Sequence, residues 1–237
     1  MTGGDGAVVH TILDTGAGQG GLLRRLVEVS PGSRFEGTAG PGGELWFVIA
    51  GTGRLASGDQ PAVPVRHDTG VWLPPGTGYH LQADGPGLLR LDSVALPAGT
   101  ADRDATTAPG NAGDAPVPRL SELGSCAEQV TGDRRFRVLF GPGNGCQAAT
   151  QFAGEIPPGR APDHSHPYDE VVLVLAGEGV LHTGAADHPL APGSCVHLPP
   201  GQPHCLENTG RSTLRVLGVF HPGGSPASKQ EQQPAAR

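Results

Sequence analysis

The chain has 237 residues, a net charge of −7, 36% hydrophobic residues, 39 glycines and 24 prolines. The acidic balance and the lack of a basic patch speak against a nucleic-acid partner. No apolar run approaches membrane-spanning length and the opening MTGGDGAVVH has no signal-peptide pattern, so no membrane association and a cytoplasmic location are expected.

Gly and Pro are abundant enough to approach the composition of disordered chains. Short Val, Leu, Ile and Phe runs recur between the Gly/Pro clusters, however, and that pattern fits many short strands joined by turns. In chain order, the first strong element is residues 44–53, ELWFVIAGTG: a glutamate, an apolar run, then Gly-x-Gly. Residues 70–81, GVWLPPGTGYHL, place a tight LPPG turn between two further strands. Residues 100–118 are rich in Ala, Pro, Gly and Asp with almost no large apolar side chains, and read as a linker. Residues 120–130 are the one modest helix candidate. Residues 225–237, SPASKQEQQPAAR, read as a disordered tail. The cysteines at 126, 146, 195 and 205 are expected to be free thiols. Fifteen arginines against the single Lys229 read as codon bias in a high-GC bacterial genome.

The second half repeats the first. Residues 170–179, EVVLVLAGEG, match 44–53 at an offset of 126, and residues 195–206, CVHLPPGQPHCL, match 70–81 at an offset of 125. A unit of half the chain length that recurs means two copies of one fold. Its many short strands predict an all-β protein of two small antiparallel barrels or sandwiches. The expected divisions are 1–99 for the first barrel, 100–118 for the linker, 119–224 for the second barrel and 225–237 for the tail.

The second copy carries a chemical constellation. Residues 163–170 read DHSHPYDE and residues 199–208 read PPGQPHCLEN. Residues two apart on a strand face the same side, so His164 and His166 aim their imidazoles together. Glu170 opens the apolar strand and shares the inward face of Val172 and Val174. The LPPG turn delivers His204. A buried glutamate among three histidines is costly unless something compensates, and a divalent cation does so directly. Imidazole and carboxylate donors suit Fe, Mn, Ni, Cu, Co or Zn.

The spacing Gly159, four residues, His164, one residue, His166, three residues, Glu170, six residues, Gly177 resembles the first cupin motif with one residue fewer after the glycine. The run Gly193, five residues, Pro199, one residue, Gly201, two residues, His204, three residues, Asn208 resembles the second at every defining position. The resemblance covers both halves and implies a bicupin, with a double-stranded β-helix barrel in each half. It implies His164, His166, Glu170 and His204 as ligands of one divalent transition-metal ion. It also turns His197 into the metal pocket, as a catalytic acid/base or equally as a wall residue. Asn208 is expected to be structural, Cys205 to point away from the metal, Tyr168 and Asp169 to form a turn, and His182 and His188 to be exposed.

The first copy has lost this set. No histidine stands in the segment SRFEGTAGPGGE that ends at Glu44, Tyr79 takes the place of His204, Trp72 that of His197, and His80 faces the other way. Glu36, Glu44 and Tyr79 remain as a possible small polar site in an otherwise filled, degenerate barrel. The function expected is a metal-dependent enzyme acting on a small anionic or chelating molecule, most of all a dioxygenase of the quercetinase type. The alternatives are a redox-neutral isomerase, cyclase or decarboxylase, and a non-catalytic metal- or ligand-binding module. Monomer and homodimer both fit.

Overall fold

The computed structural model describes residues 6–16, 21–99 and 116–227. Among these residues it consists of strands and turns, with one 3-10 turn at Leu123–Ser125 and no α-helix. Nothing in it is therefore a helix long and apolar enough to cross a membrane. The described residues up to Ser125, with Gly143–Ala148, form one compact unit, and Cys126–Pro142 with the residues from Ala149 onward form a second.

The first unit contains β1 (Ala7–Asp14), β2 (Leu23–Val29), β3 (Arg34–Thr38), β4 (Glu44–Ala50), β5 (Thr52–Ala56), β6 (Val63–Arg66), β7 (Thr69–Leu73), β8 (Gly78–Ala83), β9 (Leu89–Ala95) and β10 (Arg119–Glu122). One sheet runs β1-β2-β9-β4-β7-β10 and the other β3-β8-β5-β6. The second unit contains β11 (Glu128–Thr131), β12 (Arg134–Phe140), β13 (Thr150–Ile156), β14 (Gly159–Arg160), β15 (Asp169–Ala176), β16 (Gly179–His182), β17 (Asp187–Leu190), β18 (Cys195–Leu198), β19 (Cys205–Asn208) and β20 (Leu214–His221). Its sheets run β11-β12-β13-β20-β15-β18 and β14-β19-β16-β17. Strand for strand, β2-β9-β4-β7 corresponds to β13-β20-β15-β18, and β3-β8-β5-β6 to β14-β19-β16-β17. The sequence repeat is thus a structural repeat.

The same residues explain both copies. Trp46 and Val48 of β4 point inward with Val71, Leu73, Leu89 and Leu91. Val172 and Val174 of β15 do the same with Leu198, Leu214 and Val216. Burying each such side chain is worth roughly 1.5–3 kcal/mol. The Ala-Gly-x-Gly that ends each apolar run has a geometric cause. The register of β4 shifts between Val48 and Ala50, and that of β15 between Val174 and Ala176, each an irregularity that bends the strand. The glycine that follows is left-handed in both, φ 82 at Gly51 and φ 85 at Gly177. A Cβ on Gly177 would stand 2.8 Å from the Leu214 Cα. Asn208, 2% exposed, binds Ile156 O and Ser212 O at 2.8 Å and accepts from Gly210 N at 2.9 Å, a structural role as expected.

Three expectations are corrected. Residues 120–130 are not a helix: β10, the 3-10 turn and β11 occupy them. The free edge of β7 offers β10 a full backbone ladder, and that outweighs a weak helical pattern. For the same reason residues 119–125 lie with the first barrel, whereas 119 had been expected to begin the second. His182 is not an exposed turn residue. Its side chain is 11% exposed, Nδ1 lies 2.6 Å from Asp187 Oδ1 and Nε2 2.8 Å from Glu207 Oε2, which ties β16 to β17 and β19. His188 is exposed. All four cysteines are thiols outside any disulfide. Most of the expected linker (100–115) and tail (228–237) lies outside the described residues.

Two outcomes follow. Gly177→Ala forces a side chain into a left-handed, crowded position and lowers stability by about 2 kcal/mol, measured by denaturant unfolding. The hydrogen bond to Asp187, then that to Glu207, raises the His182 pKa above its ordinary value. A raised folded-state pKa stabilises fully below about pH 6.5 and loses that effect as pH climbs through the folded value. The melting-temperature gap between wild type and His182→Gln is therefore widest below about pH 6.5 and narrows above it; a gap constant across pH would refute the clasp.

Candidate metal centre

The backbone brings the two histidine segments together. His164 and His204 form an isolated antiparallel bridge, His164 N donating to His204 O at 2.9 Å and His204 N to His164 O at 2.8 Å. His166 O accepts from Gly201 N at 2.7 Å, which ties the second ligand strand to the LPPG turn. The imidazole centroids are 4.4 Å apart for His164 and His204, 4.9 Å for His164 and His166, and 5.6 Å for His166 and His204. One ring nitrogen from each of the three can be chosen so that all lie within 4.8 Å of one another.

Tautomers are fixed by carbonyls. His164 Nδ1 lies 3.3 Å from Pro162 O and His204 Nδ1 2.9 Å from Gln202 O. A carbonyl only accepts, so each Nδ1 carries the proton and each Nε2 offers its lone pair. Glu170 is 7% exposed. Its Oε2 stands 3.5 Å from His204 Nε2 and 3.7 Å from His166 Nε2, and accepts no hydrogen bond among the described residues. Burial, helped by His204 and His166, pushes the His164 pKa down to about 3. Burial also disfavours a charged His204, but Glu170 outweighs it and the pKa is raised. A buried carboxylate oxygen facing imidazole nitrogens at more than hydrogen-bond distance fits a shared cation, and the donor set suits a transition metal.

The cluster opens into a cavity of about 70 Å³ walled by Phe136, Phe152, Ile156, Leu206, Val216 and Phe220, with Arg134 also on its lining. Tyr168 holds this wall together. Its ring is stacked on His166, 5.1 Å between centroids and 9° between planes, and its hydroxyl donates to Ser225 O at 2.9 Å. Thr150 Oγ1 donates to Gly224 O at 2.7 Å and accepts from Gly224 N at 3.1 Å. A Cβ on Gly224 would stand 2.3 Å from the Tyr168 ring, so only glycine passes there. Residues 224–226 form an ordered strap, and Pro226 lines the cavity, although 225 had been expected to begin a disordered tail. Tyr168 therefore sits in the bend at 167–168, as expected, and is also a packing residue of the site.

His197 does not join the metal pocket. In the β15–β18 ladder Glu170 lies opposite Leu198, and Val171 opposite His197. Leu198 belongs to the barrel core, so His197 and Cys195 take the outer face. His197 Nε2 binds Asp169 Oδ1 at 2.7 Å, which is the role Asp169 takes. Alternation was correct that Cys195 and His197 share a face, and the inward assignment was not. Trp72 is the same case: Val71 and Leu73 point into the first core, and Trp72 points out. The residues that fill the first barrel are Trp46, Tyr79 and Phe35, with Trp46 and Tyr79 centroids 4.7 Å apart. Glu44 there is 3% exposed and satisfied internally, its Oε2 accepting from Trp46 Nε1 at 3.1 Å and Ser93 Oγ at 3.2 Å. Tyr79 is fully buried, and burial and then Glu44 raise its pKa. Glu36 leaves that group: it lies 3.0 Å from His80 Nδ1 on the exposed face. Cys205 is buried and turned from the cluster, as expected.

Arg134 and the stacking role of Tyr168 were the omissions. The alternation Arg134, Phe136, Val138 would have exposed the first as inward-facing; nothing in sequence marks the stacking of the second.

Residues 153–220 match the family described as a Cupin domain. A 68-residue stretch is 36% identical to an oxalate-binding protein of Thermotoga maritima, covering 28% of this chain and 56% of that protein, so the chain spans little more than half of this relative. A putative glyoxylate-induced protein from Pseudomonas aeruginosa is similar in structure, with a TM-score of 0.75 and 14% identity over 96% of this chain and 85% of the other. So is a Bacillus subtilis oxalate decarboxylase with Mn(II) centres, with a TM-score of 0.70 and 15% identity over 94% and 74%. At such identities the two structures share the fold. The domain match, the repeated barrel and the ligand register lead to one assignment: residues 153–220 are a cupin domain, in a chain whose first barrel repeats the fold and whose second barrel keeps the donor set.

Proposed function

We propose that the second barrel binds one divalent transition-metal ion through His164, His166, Glu170 and His204 and uses it to hold and activate a small anionic, chelating organic molecule. The observation that carries this reading is the buried Glu170 carboxylate facing two imidazoles of a three-histidine cluster at the floor of a cavity. The chain's own contribution is definite. Two lone pairs are set by backbone carbonyls, His166 and one carboxylate complete the set, and the apolar wall keeps water from diluting the electrostatics. A bound ion would act as a Lewis acid toward substrate oxygens and provide a place for O₂. Two-plus charge on the ion and one negative charge on Glu170 leave a net positive site, which favours carboxylates, enolates and phenolates.

The reaction class favoured is oxygenation. With His197 on the outer face, the cavity lining among the described residues brings no imidazole beyond the three ligands. Glu155 is on the lining, but its place in β13 is out of phase with the inward-pointing Phe152 and Ile156. Chemistry centred on the ion then needs less from the protein than chemistry that relies on a separate base. The second reading is a binding module for a small carboxylate, and the segment 36% identical to an oxalate-binding protein favours it. Following dissolved O₂ and product together separates them. O₂ loss on turnover supports oxygenation, product without O₂ loss points to redox-neutral chemistry, and saturable binding with neither supports the module.

The metal count is expected to be about one ion per chain by elemental analysis after anaerobic purification. Glu170→Ala and His204→Ala each lose most of it, whereas Glu44→Ala leaves it unchanged. Near two ions per chain, one of them lost in Glu44→Ala, would overturn the reading of the first barrel. Tyr168→Phe keeps the His166 stack and cuts the strap, so metal content holds and access to the cavity rises, seen as a faster loss of metal to a chelator.

A further inference from the structure

The β11–β12 hairpin forms one wall of the cavity, and its arginines are divided between two faces. Arg135 and Arg137 share the other face, where Glu128 engages both, at 3.3 Å and 2.7 Å, although Arg135 also reaches the lining. Arg134 has the opposite parity. It shares the inward side with Phe136 and Val138, which pack in the aromatic cluster beside the histidines. It lies on the cavity lining with Thr131, its partner across a two-residue turn at Gly132 and Asp133, and Gly132 takes φ 64 to make that turn. A short hairpin of this kind fixes the residue that follows it. Arg134 forms no ion pair among the described residues. Burial disfavours its charge, opposed first by Asp133 in the turn and then by Cys205 and Glu170. A guanidinium drawn partly out of water, held in no ion pair and beside a metal-ligand cluster, is a costly arrangement unless a ligand completes it.

We propose that Arg134 is the second anchor of the site: its guanidinium receives the distal oxyanion of a molecule whose other end the metal ion holds, so that the site selects short dianions over monoanions of the same size. This rests on the metal-and-anion reading above. Size agrees with it. One water needs roughly 10–15 Å³ on the scale by which the cavity holds about 70 Å³, so the space accepts a molecule of about five or six non-hydrogen atoms. Charge agrees as well. The ion and Glu170 leave one net positive charge and Arg134 adds another, which a dianion neutralises. The planar fork meets a carboxylate with two parallel hydrogen bonds, which a lysine ammonium does not reproduce.

The test is calorimetric titration of metal-loaded protein with oxalate and with glycolate, chelators of similar size that differ by one negative charge. Arg134→Gln should retain its metal and bind oxalate roughly 10- to 100-fold more weakly, with glycolate changed by less than about 3-fold. Arg134→Lys should fall between wild type and Arg134→Gln for oxalate. Equal losses for both ligands, or no loss for either, in a metal-loaded Arg134→Gln would overturn the assignment. Should that variant fail to load metal, Arg134→Lys decides: oxalate weakened with glycolate preserved supports the anchor, and unchanged or parallel binding refutes it. Wild type that loads metal and binds neither anion would sink the anion reading itself, and this inference with it.

Discussion

A carboxylate inside an apolar barrel must find compensation, and the two barrels solve that one problem in opposite ways. Glu44 and Glu170 occupy equivalent places, each opening the central apolar strand and each opposite a core leucine, Leu73 or Leu198. In the first barrel the indole of Trp46 and the hydroxyl of Ser93 satisfy the charge, and Tyr79 with Phe35 fills the space above it. In the second barrel the position of Trp46 is Val172 and that of Tyr79 is His204. The aromatic plug is gone, the carboxylate oxygen lacks a donor, and imidazoles surround it. Unpartnered buried charge of this kind is tolerated where a ligand supplies the missing interaction.

The elements around Glu170 act together. Tyr168 touches His166 through its ring and Ser225 through its hydroxyl, so one side chain links a metal-ligand position to the strap that bounds the cavity. Phe220 packs tilted against both, its ring centroid 5.2 Å from that of His166 and 4.6 Å from that of Tyr168. The aromatic group that fills space in the first barrel has thus moved, in the second, from the centre of the site to its wall.

Much of this was legible in the sequence because it depends on local periodicity and spacing. The repeat, the all-β class and the four donor positions follow from strand alternation, turn residues and motif intervals, each encoded within about ten residues. What failed depends on information the local pattern does not carry. Trp72 sits on a strand buried on both faces and His197 on one partly buried on both, where alternation shows which residues share a side but not which side is inward. Residues 120–130 follow a sheet edge supplied by a distant strand. Arg134 lies some thirty residues before the first histidine, and only the β12–β13 pairing brings it to the cavity.

The reciprocal backbone bonds between His164 and His204 bear on how the protein handles different metals. Two of the ligand positions are locked to each other by the chain itself, before any ion arrives. The conformational entropy of assembling them is lost during folding, not during binding. An ion can then leave without melting the barrel, and another can take its place on the same donors. Such a scaffold imposes little geometric discrimination among first-row metals, whose intrinsic affinities follow a common order. An ion held there would be chosen by supply in the cell, so protein made under different metal regimes would carry different ions on one unchanged frame.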